Sequence, residues 1–186
     1  DVIGILGEQF RNDTGVEVSY NPTGSGAGIE AVSNGSCDIG LASRALKDEE
    51  AAGGLTGTTV ALDGIAMIVS SSNAVADLTL EQIAQIYTGE INDWSEVGGE
   101  AGPIARIIRE SGSGTRDGFE AITGTEDQCV SDQELNSTGA VIEAVRTNPN
   151  AIGYASLSAV TGQEGITVLT VAIAWNKETI IPRHTQ

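Results

Sequence analysis

Apolar positions along this chain switch repeatedly between a helical period and strict alternation. Val2, Ile3, Leu6 and Phe10 recur at helical spacing, and Val16, Val18 and Tyr20 then alternate as in a strand. A glycine loop at 23–28 leads into a short helix through Ile29 and Val32, followed by a predicted strand at 38–42. Residues 47–52 read as a helix, and 60–62 and 65–69 as strands on either side of an Asp63-Gly64 turn. Thr79 stands three residues before Gln82, the spacing of a capping box, ahead of Leu80, Ile83 and Ile86, and Thr88-Gly89 ends that helix. Further on come a strand at 106–108, a second glycine loop at 111–114 and a helix with Phe119 and Ile122. A polar stretch, a helix with Val141, Ile142 and Val145, and strands at 152–155 and 166–172 complete the pattern. Such alternation predicts the α/β class with parallel sheets. No proline-rich linker interrupts it, so two lobes would be joined by crossing strands.

Composition narrows the core and the partners. Hydrophobic residues make up 40% of the 186 and aromatics 4%, which predicts a core of Ile, Val, Leu and Ala in place of large rings. Twenty-six acidic against nine basic residues give a formal charge of −17, and no segment gathers Lys or Arg into a patch. That excludes nucleic acid and anionic membrane surfaces as partners. No apolar run reaches the roughly 18 residues of a membrane-spanning helix. Two cysteines and one histidine, His184, cannot form a four-ligand zinc site, and neither a metal nor another cofactor is expected. Cys37 and Cys129 either pair or remain two small core thiols.

The two glycine loops carry the chemistry. Thr23-Gly24-Ser25-Gly26-Ala27-Gly28 and Ser111-Gly112-Ser113-Gly114-Thr115 both lie where a strand hands over to a helix. There, unpaired N–H groups and the positive end of the helix dipole can face an anion. Glycine permits close approach of the main chain, and the Ser and Thr hydroxyls add donors. Arg109 precedes the second loop, where a planar guanidinium can grip two oxygens of a tetrahedral oxyanion. Asp38 suits such a site only if the ligand carries a proton: phosphate has hydroxyl hydrogens to donate, whereas sulfate would meet an unpaired carboxylate. From pattern alone, a helix- or turn-capping role fits Asp38 slightly better.

These segments closely resemble, in order, the phosphate-binding proteins of phosphate ABC transporters. The resemblance is carried by residues 23–29, by Cys37-Asp38-Ile39-Gly40-Leu41-Ala42-Ser43-Arg44, and above all by Arg109-Glu110-Ser111-Gly112-Ser113-Gly114-Thr115-Arg116-Asp117. Asp63-Gly64-Ile65-Ala66, the stretch 78–94 and Ala151-Ile152-Gly153-Tyr154-Ala155-Ser156 extend it from Asp1 to about Val171. It implies a two-lobed type II periplasmic-binding-protein fold, with residues 1–64 and 157–186 in the first lobe and 65–156 in the second. It further implies that inorganic phosphate is held between Ser25 and Asp38 on one side and Arg109, Ser113, Gly114 and Thr115 on the other. Ser43, Arg44, Arg116 and Asp117 would stand behind that shell, Arg44 pairing with Asp38 or with another acid.

The resemblance stops short at both ends, where a first strand and the closing strands of the first lobe are expected to be missing. Weaker phosphate binding, an incomplete first lobe and an uncovered sheet edge follow as expectations, with a monomer unless that edge associates. The implied partners are the permease and ATPase of an ABC importer, and the implied place is the periplasm or the outer face of the cell membrane, with or without a lipid anchor. An enzyme is not expected: the one histidine lies in the terminal tail, neither serine has a full Gly-x-Ser-x-Gly frame, and no Gly-Lys-Ser/Thr follows either loop. The alternatives are a module for another oxyanion and a shortened copy used in adhesion or signalling.

Overall fold

The computed structural model describes residues 2–172. Helices α1 (Val2–Thr14), α2 (Ser25–Ser33) and α3 (Asp48–Ala52) precede the first strand, β1 (Ile65–Ser70). Next come β2 (Asp77–Thr79), α4 (Leu80–Thr88), a 3₁₀ turn (Trp94–Val97), β3 (Ala105–Arg109) and α5 (Gly114–Thr123). The order then runs β4 (Gln133–Leu135), α6 (Thr138–Thr147), β5 (Ala151–Ser156), α7 (Leu157–Val160), β6 (Ile166–Val168) and β7 (Thr170–Ala172).

Five strands make one sheet in the order β4-β3-β5-β1-β6, while β2 and β7 pair separately and in parallel. The expectation of parallel sheets needs correcting. β3 is parallel to β4 and to β5, but β1 is antiparallel to both β5 and β6. Helical crossovers enforce parallel pairing, and α5 and α6 link β3, β4 and β5 in that way. β1 lies outside that helix-linked series and runs the other way between β5 and β6.

Alternation along each strand divides the core into two layers. Met67 and Val69 face the layer that holds Ile83, Ile86, Tyr87 and Phe119 from α4 and α5. Ala66 and Ile68 face Val141, Ile142 and Val145 of α6. Each such buried aliphatic side chain contributes about 1.5–3 kcal/mol. The core is not purely aliphatic, as composition suggested: Tyr87, Trp94, Phe119 and Tyr154 are all buried. Phe119 stacks on Tyr154 with centroids 4.1 Å apart, and Tyr87 meets the Phe119 ring edge-on at 4.8 Å. Few rings are present, and most of them sit together at the centre.

The predicted capping box of α4 is formed: Gln82 N–H donates to Thr79 Oγ1 at 3.0 Å, and Thr79 N–H donates to Gln82 Oε1 at 2.9 Å. Gly89 closes the helix in the left-handed region at φ 81°. Buried Arg106 collects the carbonyls just beyond, donating to Ile86 O at 2.5 Å and to Ile91 O at 2.9 Å.

Residues 2–64 differ most from expectation. The segments 16–20, 38–42 and 60–62 alternate as strands do, yet none is a strand. No neighbouring strand among the described residues supplies the hydrogen bonds that an extended segment needs. Val60 and Leu62 are accordingly 89% and 93% exposed. Helix α1 forms as predicted, but Leu6 and Phe10 on its apolar face remain exposed. Segment 38–42 packs instead along α2, where the backbones approach so closely that a Cβ on Gly28 would meet Leu41 O at 2.7 Å and one on Gly40 would meet Gly28 O at 2.6 Å. No helix among the described residues is long and apolar enough to cross a membrane. The expectations about the tail, His184 included, lie outside the described residues.

Candidate functional site

Both glycine loops begin helices, as their sequence requires. Ser25 is the first residue of α2, and Ser113 is the N-cap of α5, its Oγ accepting from Arg116 N–H at 3.4 Å. The loops meet: Gly26 N–H donates to Gly112 O at 3.0 Å. Gly114 lies against Ser25 and Ser43 so closely that a Cβ there would fall well inside contact distance of both hydroxyl oxygens. Ser25 Oγ accepts from Ser43 N–H at 3.0 Å and lies 3.2 Å from Ser43 Oγ. Ser25, Ser43, Ser113 and Gly114 therefore form one junction between segments nearly ninety residues apart in sequence. Ser25, Ser113 and Gly114 are buried in it, and Thr115 is partly buried beside them.

Two helix N-termini converge here, and the amides of Gly114 and Thr115, first in α5, have no carbonyl one turn back within the helix. The partial positive charge of each helix end and the serine hydroxyls suit an anion. Ser113 can hold both roles, since its oxygen accepts from the helix and its proton remains for a ligand.

Arg109, at the end of β3, is held by its neighbours. Nε donates to Glu110 Oε2 at 2.8 Å, Nη2 to Glu110 Oε1 at 2.9 Å and Nη1 to Thr138 Oγ1 at 3.2 Å. A guanidinium has five N–H groups, so one remains on each terminal nitrogen for a ligand. Its backbone N–H donates to the hydroxyl of buried Tyr154 at 3.3 Å. Burial pushes the Glu110 carboxyl up, but the Arg109 hydrogen bonds and the charges of Arg109 and Arg116 more than offset it and hold it below the usual range.

Asp38 does not join this junction. Its side chain is exposed, and its carboxylate has no hydrogen-bond or ion-pair partner among the described residues. The remaining predicted residues form ion pairs. Arg44 grips both oxygens of Glu50 at 2.8 Å and brings Nε to 2.7 Å from Asp117 Oδ2. The second approach is a charge contact, because Nε has no aligned hydrogen bond. Arg116 pairs with Glu120 at 2.7 Å, donates to Arg109 O at 3.1 Å and reaches Glu134 at 3.3 Å. Of the two partners open to Arg44 in the sequence, the structure supplies other acids in place of Asp38.

A cleft of about 370 Å³ adjoins the loops, with Gly26 and Gly112 in its wall. Its cations, Arg44, Lys47 and Arg116, face four carboxylates, Glu50, Asp117, Glu120 and Asp127. That balance makes it an ion-paired seam and no anion pocket. The cysteines are free, and burial pushes the Cys129 thiol up. Among the described residues no cluster of His, Cys, Asp and Glu could hold a metal.

Sequence reasoning missed Glu110, Thr138 and Tyr154 around Arg109, and Glu50 beside Arg44. Glu120 was legible as the i+4 partner of Arg116. Glu50, three residues after Lys47, carries a capping signal that is realised, its carboxylate accepting from Lys47 N–H at 2.7 Å. Nothing in the spacing points to Thr138 or Tyr154.

The family model of the PBP superfamily domain matches residues 1–180, past the Val171 limit of the sequence resemblance. A solved structure from Clostridium perfringens, described as a phosphate ABC transporter substrate-binding protein with bound phosphate, is 42% identical with a TM-score of 0.84, covering 91% of this chain and 70% of that one. An ABC-type phosphate transport receptor from Vibrio cholerae is 33% identical with a TM-score of 0.73, covering 91% and 71%. The phosphate-binding protein PstS of Borreliella burgdorferi is 32% identical over 183 residues, 92% of this chain. The chain spans 65% of the length of that relative and 55% of the PstS of Bacillus subtilis.

Proposed function

Because the chain belongs to the PBP superfamily, with phosphate-binding proteins among its relatives, we propose that it binds inorganic phosphate and hands it to an ABC importer. The observation that carries this reading is the direct meeting of two helix-opening glycine loops, marked by the 3.0 Å bond from Gly26 N–H to Gly112 O. Ser25 from one loop and Ser113, Gly114 and Thr115 from the other supply hydroxyl and amide donors, and Arg109 supplies two further N–H groups. Four or five such bonds to a charged ligand, each about 1.5–3 kcal/mol, bring binding to roughly 8 kcal/mol or micromolar affinity. The charge of −17 opposes this weakly, since repulsion is screened beyond about 8 Å at physiological salt.

Asp38 enters this reading as the acceptor of a phosphate hydroxyl proton, which requires segment 38–42 to turn it toward the ligand. We assign residues 1–64 to one lobe and 65–156 to the other. The resemblance implies the first lobe for 157–186, but β6 and β7 pair with β1 and β2, so we assign 166–172 to the second instead. The chain acts by binding and not by chemical conversion, outside the cytoplasm, with a permease and an ATPase as partners.

Isothermal titration tests the reading. Phosphate should bind, sulfate should bind at least about a hundredfold more weakly because it has no proton for Asp38, and Arg109→Ala should abolish phosphate binding. Equal affinity for sulfate would favour a general oxyanion module, and no binding of either ion would overturn the proposal.

A further inference from the structure

Arg44 links residues 2–64 to the sheet-bearing body beside the meeting of the two glycine loops. It follows segment 38–42, and its guanidinium is only 10% exposed. On its own side it is fixed three times, by both oxygens of Glu50 at 2.8 Å and by Ala45 O at 2.9 Å. Glu50 is itself pinned by Lys47 N–H, so the cation is preorganised. Its remaining edge, Nε, faces Asp117 across the seam at 2.7 Å. Asp117 lies in the first turn of α5, the helix whose opening residues are Ser113, Gly114 and Thr115. The ion pair thus joins residues 2–64 to the sheet-bearing body beside the loop junction.

We infer that Arg44 and Asp117 form a clasp that holds the two glycine loops together and slows the release of the bound anion, an inference resting on the phosphate reading above. Three features separate a clasp from a surface ion pair. The arginine side chain is largely shielded and Asp117 is only partly exposed, whereas fully exposed pairs hold little. The arginine is held in place by other bonds, so closing on Asp117 orders only one further side chain. The pair lies next to the Gly26–Gly112 bond, so parting the loops requires parting the pair. Removing Asp117 leaves the buried Nε of Arg44 with neither countercharge nor water beside it, a larger penalty than loss of an exposed pair.

Amide hydrogen exchange tests the clasp without ligand. Gly26 N–H, which donates across the junction to Gly112 O, reports its opening. Ser43 N–H, bonded to Ser25 Oγ, and Val130 N–H, bonded to Tyr87 O, report the integrity of each side separately. In Asp117→Asn the Gly26 amide should exchange about tenfold faster while Ser43 and Val130 keep their protection. Phosphate release by stopped flow should accelerate by a similar factor. Arg44→Gln should match both effects, and the double variant should add nothing to Arg44→Gln, which separates the pair from any effect of Asp117 on the α5 dipole. Unchanged Gly26 exchange in Asp117→Asn overturns the clasp, as does loss of protection at Val130, which would make the pair a general stabiliser. A wild-type chain that binds no phosphate while its Gly26 exchange still answers to Asp117→Asn overturns the phosphate reading and leaves the clasp standing.

Discussion

Gly114 shows how much one absent methyl decides at this junction. It is the first residue of α5, and its Cα rests against the hydroxyls of Ser25 and Ser43. Those side chains cannot withdraw freely, since Ser25 Oγ holds Ser43 N–H and anchors segment 38–43 to α2. Gly114→Ala should leave the sheet body folded, because the added Cβ points away from both core layers, but it should pry the loops apart. Titration should show at least about a tenfold loss of phosphate affinity, as expected when a misplaced atom spoils several converging donors. Wild-type affinity in that variant would mean that the contact has no part in binding. Gly28 belongs to a different account. It sits in the string read as an anion cradle, yet the structure explains it by the close passage of Leu41, a packing requirement that the sequence pattern could not distinguish from a binding one.

At the scale of elements, local signals were reliable wherever the chain supplied both partners within a few residues. The Thr79–Gln82 box, the Ser113 cap and the Ser137 cap of α6, whose Oγ accepts from Ala140 N–H, each form from neighbours one turn apart. Thr79→Ala should lower the stability of the sheet body by about 1 kcal/mol, read as a lower urea midpoint at unchanged slope. An unchanged midpoint would show that the exposed first turn of α4 satisfies its amides with water. Strand signals were reliable only in part. β1, β3 and β5 lie at or near their predicted positions, because each is apolar on both faces and has a helix layer to fill. Segments 16–20, 38–42 and 60–62 carry comparable alternation, but a strand exists only beside another, and that neighbour is a property of the fold.

For the whole molecule, the Arg44–Glu50 ion pair behind the seam links stability to pH. The Arg44 hydrogen bonds, helped by Lys47 N–H and by the charges of Arg44 and Lys47, hold the Glu50 carboxyl down at about 2, against an ordinary 4.5. The folded chain therefore keeps Glu50 ionised where the unfolded chain would protonate it. Stability from this pair is complete above about pH 5 and drains away as the pH falls from 4.5 towards 2. Acid titration of Gly26 exchange should show the junction opening in that window, and Glu50→Gln should remove the part of the slope that belongs to it. A slope identical in both proteins would place the acid sensitivity elsewhere, for instance at Asp63, whose carboxyl is lowered chiefly by the Ser156 hydroxyl. The core responds otherwise: burial raises the Tyr87 hydroxyl well above its ordinary value, so the ring cluster stays neutral throughout that range.

Taken by itself, the sequence determined what depends on near neighbours and on residue type. That covers the α/β class, helices α1 to α6, the capping box of α4, the two Gly-Ser loops and their aptness for an anion, and the lack of any basic surface. Tertiary structure alone decided which distant groups meet. It placed Gly26 on Gly112 and Gly114 on Ser25, turned Arg109 onto Glu110 and Thr138, and gave Arg44 to Glu50 and Asp117 while leaving Asp38 exposed. It also set β1 antiparallel and gathered four rings into the centre. The reason is physical: capping, periodicity and i+4 ion pairs act over one turn of chain, whereas strand pairing and contacts between remote segments depend on approach through space, which no spacing along the sequence encodes.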